Sequence, residues 1–219
     1  MMLITGGSKG IGKAVAEHFK DSYEIVTVAR TGDVTEQGDL TDINFRNYLI
    51  NKYKPDVFVN CAGVLSHDFM ETVQINIVAM GHLLTQFYKK MDGGSIINLS
   101  SIAANKMGWE GMPDMRVHYL ATKKALKDLS CHLNNSKERP VRVTSLEPDH
   151  VNTTIGNGPL YDVDYSKSDN MNYFAPMPPS YIAEVIEWIL EQPPYIVISS
   201  MEISNRHKRS AGLTARKLL

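Results

Sequence analysis

The feature that most constrains this chain is an alternation of short apolar runs with longer helical stretches. Leu3-Ile4 opens the chain, Lys13 to Phe19 reads as a helix, Glu24 to Ala29 as a β-branched strand, and Phe45 to Tyr53 as a helix. Val57 to Val59, Ser95 to Leu99, Val141 to Leu146 and Tyr195 to Ile198 read as further strands. Phe69 to Met91, Tyr119 to Leu133 and Ile182 to Leu190 carry the helical patterns between them, and Gly93-Gly94 stops the first of these. The strands lack strict polar alternation, so both of their faces are expected to be buried. Strand, helix, strand, repeated in this way, predicts an α/β architecture: a doubly wound parallel sheet with helices on both faces, a Rossmann fold. No repeat, low-complexity block or linker interrupts it, so all 219 residues are expected to form a single domain. Two irregular segments, about residues 104–117 and 156–179, break the rhythm. Long loops in compact α/β domains are functional or disordered.

Composition narrows the function. The 23 Lys and Arg against 24 Asp and Glu disfavour a globally basic nucleic-acid binder. No apolar run reaches the length of a membrane span. Met1 to Ile4 runs straight into a glycine-rich turn, so no secretory leader is expected. Two cysteines, Cys61 and Cys131, rule out a disulfide scaffold and suit a reducing cytoplasm. The seven histidines show no close metal-ligand spacing, and no metal is expected.

Chemistry enters at the first turn. Thr5-Gly6-Gly7-Ser8-Lys9-Gly10-Ile11-Gly12 follows the first strand and opens a helix. Gly6, Gly10 and Gly12 stand in a G-x-x-x-G-x-G spacing. Glycine permits the tight turn and lets backbone approach a pyrophosphate, and the helix beyond offers free N–H groups. The bland alternative is a glycine-rich turn without a ligand. A dinucleotide site for NAD puts an acid at the end of the second strand; here that position carries Arg30. Arg30, with Ser8 and Lys9, can pair with a 2′-phosphate through charge-assisted hydrogen bonds, which favours NADP. The alternative is two solvated cations.

A second motif places Tyr119 and Lys123 at i and i+4, on one helix face. A nearby ammonium stabilises a phenolate and lowers its pKa, so such a tyrosine can exchange a proton with a carbonyl or an alcohol. Alone the pair is weak. Ser100-Ser101 adds weight, standing at the carboxyl end of a strand where ligands bind. Asn60-Cys61-Ala62-Gly63 ends another strand, and Gly63 would admit a cofactor closely. Asn76 sits mid-helix, where asparagine is a poor helix former; an exposed or core-bonded amide is the plain reading.

Taken together these residues resemble the short-chain dehydrogenase/reductase family, in its classical, NADP-preferring form. The matches are the Thr5 to Gly12 turn, Asp39-Leu40, Asn60 to Gly63, Asn76, Ser101, Tyr119 with Lys123, and Pro148 followed by Val151 and Thr153. They keep the family's order and cover roughly Leu3 to Thr153. The resemblance implies that Tyr119 is the proton donor or acceptor. It implies that Lys123 lowers the tyrosine pKa and bonds the nicotinamide ribose. Ser101 would orient the substrate oxygen, with Ser100 as the fallback, and Asn76 would hold a relay water. Asp39 and Leu40 would frame the adenine. Asn60, Ala62 and Gly63 would line the adenosine side, and Pro148, Val151 and Thr153 would embrace the nicotinamide amide. Asp149 departs from the glycine that usually follows the motif proline, and Cys61 replaces a frequent asparagine. The interval from Ser101 to Tyr119 is longer than is common, and Ser199 to Ser204 stands where a glycine-rich segment is usual.

These readings predict an NADP(H)-dependent oxidoreductase exchanging hydride between nicotinamide and a carbonyl or alcohol carbon. Met107, Trp109, Met112, Met115, Tyr161, Tyr165, Tyr173 and Phe174, in the irregular segments, suggest a small, mostly apolar substrate; packing of the loops explains them equally. The alternative function is a catalytically silent NADP-binding regulatory or scaffold protein, since fold does not fix function. Arg206, Lys208, Arg209, Arg216 and Lys217 make the C-terminal stretch basic, read as a solvated tail. Met80, Leu83, Leu84 and Phe87 follow helical spacing and mark core or a subunit interface. The family resemblance tilts the expectation toward a homodimer or homotetramer, with no nucleic-acid or membrane partner.

Overall fold

The strands assemble into one seven-stranded sheet in the order β3-β2-β1-β4-β5-β6-β7, with every neighbouring pair parallel. This computed structural model describes residues 1–105, 114–136, 139–155 and 175–205. The strands are β1 (Met2–Thr5), β2 (Ile25–Ala29), β3 (Glu36–Gln37), β4 (Val57–Asn60), β5 (Ser95–Leu99), β6 (Arg142–Pro148) and β7 (Ser200–Ile203). The helices are α1 (Gly10–Phe19), α2 (Ile43–Lys52), α3 (Phe69–Val73), α4 (Met80–Lys90), α5 (Asp114–Ser136) and α6 (Pro179–Leu190). Among the described residues no helix is long and apolar enough to cross a membrane.

The apolar strands bury both faces because helices cover both. Leu3, Val28, Phe58 and Ile96 face one side and pack with Met80, Leu83, Leu84 and Phe87 of α4 and Leu126 of α5. Their strand neighbours Met2, Ile4, Val59 and Ile97 face the other side, against Val15 and Phe19 of α1 and Ile182 and Ile186 of α6. Each such side chain is worth roughly 1.5–3 kcal/mol of burial. The expected stripe on α4 is therefore core: Met80, Leu83, Leu84 and Phe87 are fully buried.

Three elements differ from the sequence reading. The last strand is Ser200–Ile203, in register with Ser145 to Pro148. Tyr195 to Ile198 is irregular, and Tyr195 is 84% exposed. Polar residues occupy half of the true strand because it lies at the sheet edge, where burial is one-sided. The two-residue β3 was not expected, because Glu36-Gln37 has no apolar signature. It is held through its side chain, with Glu36 accepting hydrogen bonds from Lys52 (2.6 Å) and from Tyr53. The long helical pattern from Phe69 is broken by a π-helical turn over Gln74–Ala79 between α3 and α4.

β1 is the switch point of the sheet. It pairs with β2 on one side and β4 on the other, so connections leave in opposite directions and open a crevice above the strand ends.

Candidate functional site

The crevice is a cavity of about 700 Å³, within the range of ligand pockets. Its floor is the turn from β1 into α1. Gly6 and Gly10 adopt φ of 70° and 56°, left-handed conformations that suit glycine. A Cβ on Gly12 would lie 2.3 Å from the Gly6 carbonyl oxygen. The glycine spacing is thus a steric requirement of helix against turn. No side chain caps the start of α1, and its first turn carries no acid. Its orphan N–H groups and positive dipole end therefore remain available to an anion. Gly6, Ser8, Lys9, Gly10, Ile11 and Gly12 all line the cavity. A dinucleotide pyrophosphate fits this cradle.

One end of the cavity is walled by Arg30, Asp39 and Leu40. Asp39 accepts two hydrogen bonds from Thr41, from N and Oγ1, both 2.8 Å. The backbone bond comes first among the influences that set its carboxyl below the ordinary range; burial opposes them, and the Arg30 charge assists. The buried Arg46 donates to the Leu40 carbonyl at 2.5 Å and fixes that wall. Ala62 and Gly63 also line the cavity. Asn60 does not reach the cavity. Its amide is 1% exposed and spans the sheet interior, accepting from Thr5 Oγ1 and donating to Asn98 Oδ1, each at 2.9 Å. An amide in an apolar interior must satisfy its bonds locally, and this one does so between strands rather than at a ligand.

Gly63 joins the cavity to the second cluster. A Cβ there would lie 3.4 Å from both Lys123 Nζ and Asn76 Oδ1. Lys123 is buried, donates to the Leu99 carbonyl at 2.6 Å, and stands 5.6 Å from the centroid of the Tyr119 ring. Tyr119 and Lys123 share a face of α5, as their spacing predicted. The two serines after β5 separate clearly. Ser100 Oγ donates to the Lys123 carbonyl at 2.9 Å and is buried in structure. Ser101 is partly exposed, and its side chain favours the ionised form of the Tyr119 phenol against the burial of that group.

The electrostatics differ from the sequence expectation. Burial pushes the Tyr119 phenol up to about 12, opposed by the influence of the Ser101 side chain. Burial also pulls Lys123 down to about 8, while Cys61 acts in the opposite sense. Desolvation disfavours both charged forms, and the ammonium lies over the ring, 5.6 Å from its centroid. Lys123 is not what sets the Tyr119 pKa in this state.

Asn76 centres the π-helical turn. Its amide accepts from Val64 N at 2.9 Å and donates to Val64 O at 2.9 Å and to Thr122 Oγ1 at 3.1 Å. It pins the loop after β4 to the Thr122 side chain of α5, and this engagement competes with a water-holding role for the amide. Beyond β6, Thr153 lines the cavity, and its Cγ2 would lie 3.3 Å from a Cβ on Gly10. Pro148 ends the strand, and Val151 forms a bridge with Met177. These two lie beside the crevice without lining the described cavity. Asp149 N donates to the Ile203 carbonyl at 2.8 Å, which uses the position for sheet-edge packing.

Some contributors carried no sequence signal. Thr5 accepts from Ala62 N at 3.2 Å while bonding Asn60, which latches the loop after β4 over the glycine turn. Ser66, His67, Glu71 and Ile75 also line the cavity. The aromatic and methionine candidates at 107, 109, 112, 161, 165, 173 and 174, the side chain of Met115, and the basic positions from 206 lie outside the described residues. Among the described residues no three His, Cys, Asp or Glu side chains group as a metal site.

The family model described as short chain dehydrogenase matches residues 29–158. That is more than half of the chain, and the protein belongs to this family. A serine 3-dehydrogenase of Agrobacterium fabrum is 29% identical, spanning 96% of this chain and 96% of its own. Carbonyl reductase family member 4 of Xenopus laevis is 26% identical, spanning 87% of this chain and 90% of its own. Among solved structures, a closed serine dehydrogenase complexed with NADP+ matches with a TM-score of 0.77 at 21% identity, over 99% of both chains. A 3-alpha-hydroxysteroid dehydrogenase from Pseudomonas sp. B-0831 complexed with NADH matches at 0.76 and 21%, over 93% of this chain and 95% of its own. These structures share the fold. The chain is an oxidoreductase-family Rossmann protein of the kind that binds a nicotinamide cofactor.

Proposed function

We propose that this protein is an NADP(H)-dependent oxidoreductase that exchanges hydride between nicotinamide and a carbonyl or alcohol carbon of a small molecule. The observation that carries the reading is the junction at Gly63. There the cavity with the glycine cradle meets Lys123, whose helix face also presents Tyr119.

The bound dinucleotide would supply the hydride. The Gly6 to Gly12 turn and the start of α1 would hold its pyrophosphate. Asp39 and Leu40 would frame the adenine, with Ala62 and Gly63 on the adenosine side. Arg30, Ser8 and Lys9 would take the 2′-phosphate. Pro148, Val151 and Thr153 would border the nicotinamide. Ser101 would hold the substrate oxygen while Tyr119 exchanges a proton with it. At neutral pH a phenol held near 12 is protonated, the form that donates during carbonyl reduction. Lys123 would then stabilise charge as the phenolate forms. Asn76 would serve by fixing Val64 and Thr122 around Lys123.

NADP over NAD rests on Arg30 in the cavity wall. The solved relatives hold NADP+ in one case and NADH in another, so both nucleotides belong in the test. The substrate is read as small and mostly apolar. Because two relatives are named serine 3-dehydrogenase, serine belongs in the panel beside ketones, aldehydes and quinones. The protein would work in a reducing cytoplasm, as a homodimer or homotetramer; a monomer by light scattering would overturn the assembly.

The decisive experiment is dinucleotide turnover over that panel in both directions, with Tyr119→Phe as the control. Turnover should be abolished by Tyr119→Phe while NADPH binding persists. Tight NADPH binding without turnover on any panel member would instead favour the silent nucleotide-binding scaffold.

A further inference from the structure

Glu147 of β6 is a fully buried carboxylate outside the proposed reaction. Its four acceptor positions are filled. Oε1 accepts from Ser145 Oγ at 3.1 Å and Ser200 Oγ at 2.7 Å. Oε2 accepts from Asn105 Nδ2 at 2.6 Å and Lys127 Nζ at 2.9 Å. Burial pushes this carboxyl up, but the bonds from Ser200, Lys127 and Asn105 outweigh it and hold the group below its ordinary value. The cluster is closed by Lys127 Nζ donating to Asn105 Oδ1 at 2.6 Å and by Asn105 Nδ2 donating to Glu202 at 2.8 Å.

What these residues join gives the cluster its meaning. Asn105 ends a 3₁₀ turn, Ile102–Asn105, that begins directly after Ser101. The same serine starts the turn, with its Oγ accepting from Ala103 N at 3.2 Å and its carbonyl from Ala104 N at 2.9 Å. Lys127 lies on α5 one turn beyond Lys123 and two beyond Tyr119, on the same face. One buried anion therefore ties the Ser101 turn and the Tyr119 helix to β6 and, through Ser200, to the edge strand β7. None of Asn105, Lys127 and Glu147 lines the cofactor cavity.

We propose that Asn105, Lys127 and Glu147 are positioning residues that bolt the Ser101 turn to α5 and so set the spacing of the Ser101 and Tyr119 hydroxyls. The consequence for turnover rests on the reaction proposed above. Removing Glu147 alone would strand a buried ammonium and endanger the fold. Asn105→Ala leaves the charge pair in place and cuts only the tie to the turn.

The test measures kcat at saturating NADPH, and NADPH Kd, for wild type, Asn105→Ala, Ser101→Ala and the double variant. Asn105→Ala should lower kcat on the order of tenfold, the scale of a misplaced reacting group, and leave Kd unchanged. In the Ser101→Ala background it should cost nothing further, because coupled residues are non-additive. An unchanged kcat, or an equal fall in both backgrounds, overturns the proposal. Lys127→Met combined with Glu147→Gln tests the same tie with both charges removed together, should Asn105→Ala fail to fold. Crystal structures of wild type and variant read the Ser101–Tyr119 oxygen separation without any assay. A lengthened separation supports the proposal and an unchanged one refutes it. If wild type turns over no substrate, the proposed reaction falls, and this separation still decides the positioning role.

Discussion

Gly12→Ala is the sharpest test of the nucleotide cradle, because its effect follows from one distance. The new Cβ would sit 2.3 Å from the Gly6 carbonyl oxygen and 2.7 Å from its carbon. Favourable carbon–oxygen contacts close to roughly 3.3–3.6 Å, so the turn and the helix must part by about 1 Å. Overpacking of this kind costs about 1–3 kcal/mol. Without ligand the turn can relax. With a pyrophosphate bound, the same turn must return to the geometry that aims its N–H groups, so the cost falls on binding. At 1.4 kcal/mol per decade, NADPH affinity should weaken about five- to 150-fold. Calorimetric titration measures it, with Gly93→Ala as the control: a Cβ at Gly93 meets only the Pro140 carbonyl oxygen at 3.7 Å, and should leave binding unchanged. If Gly12→Ala binds NADPH as tightly as wild type, the pyrophosphate does not sit on this turn.

Three further outcomes are expected. Arg30→Ala should weaken NADPH more than NADH, and equal weakening in paired titrations would remove the 2′-phosphate from Arg30. Ser101→Ala should lower kcat strongly, whereas Ser100→Ala should lower stability by about 1 kcal/mol for one lost hydrogen bond, read as a lower thermal midpoint; the reverse pattern in kinetics and melting would exchange their roles. Lys123 binds its proton more weakly folded, at about 8, than its ordinary 10.5. From pH 8 to about 10.5 the unfolded chain therefore holds more protons at this site, and the Lys123 contribution to stability rises with pH. Cys61, pushed up to about 12 by burial, and Tyr119, also near 12, act in the opposite direction above their ordinary values. The Lys123 part is isolated as the difference in urea midpoints between wild type and Lys123→Met, which should move in favour of wild type from pH 7.5 to 9.5. A difference that is flat with pH would show that the lysine does not titrate as a desolvated group.

Much of the site was legible because its residues are constrained locally. Gly6 and Gly10 announce themselves through left-handed dihedrals, and Gly12 through a close approach to the Gly6 carbonyl that leaves no room for a Cβ. Tyr119 and Lys123 share a helix face by spacing alone. Asn60 reads as a ligand contact because it is a polar residue at a strand end, and only the sheet reveals that its amide bonds Thr5 and Asn98 on either side. Asn76 was visible as an anomaly, yet the cause of the anomaly, a π-helical turn clamped on Val64, depends on a loop distant in sequence. The edge strand β7 was placed five residues early, because hydropathy marks burial and an edge strand is half-exposed.

The chain alone determined its alternating architecture, its glycine turn and the residue types that meet at the crevice, since periodicity and spacing act over a few residues. The tertiary structure decided that the Ser100 hydroxyl is bonded to the Lys123 carbonyl, how burial orders the ionisation of Tyr119 and Lys123, and that Glu147 accepts from Asn105 at the end of the Ser101 turn. Those outcomes arise from desolvation and from contacts between segments brought together across the sheet, and neither quantity exists until the strands have paired.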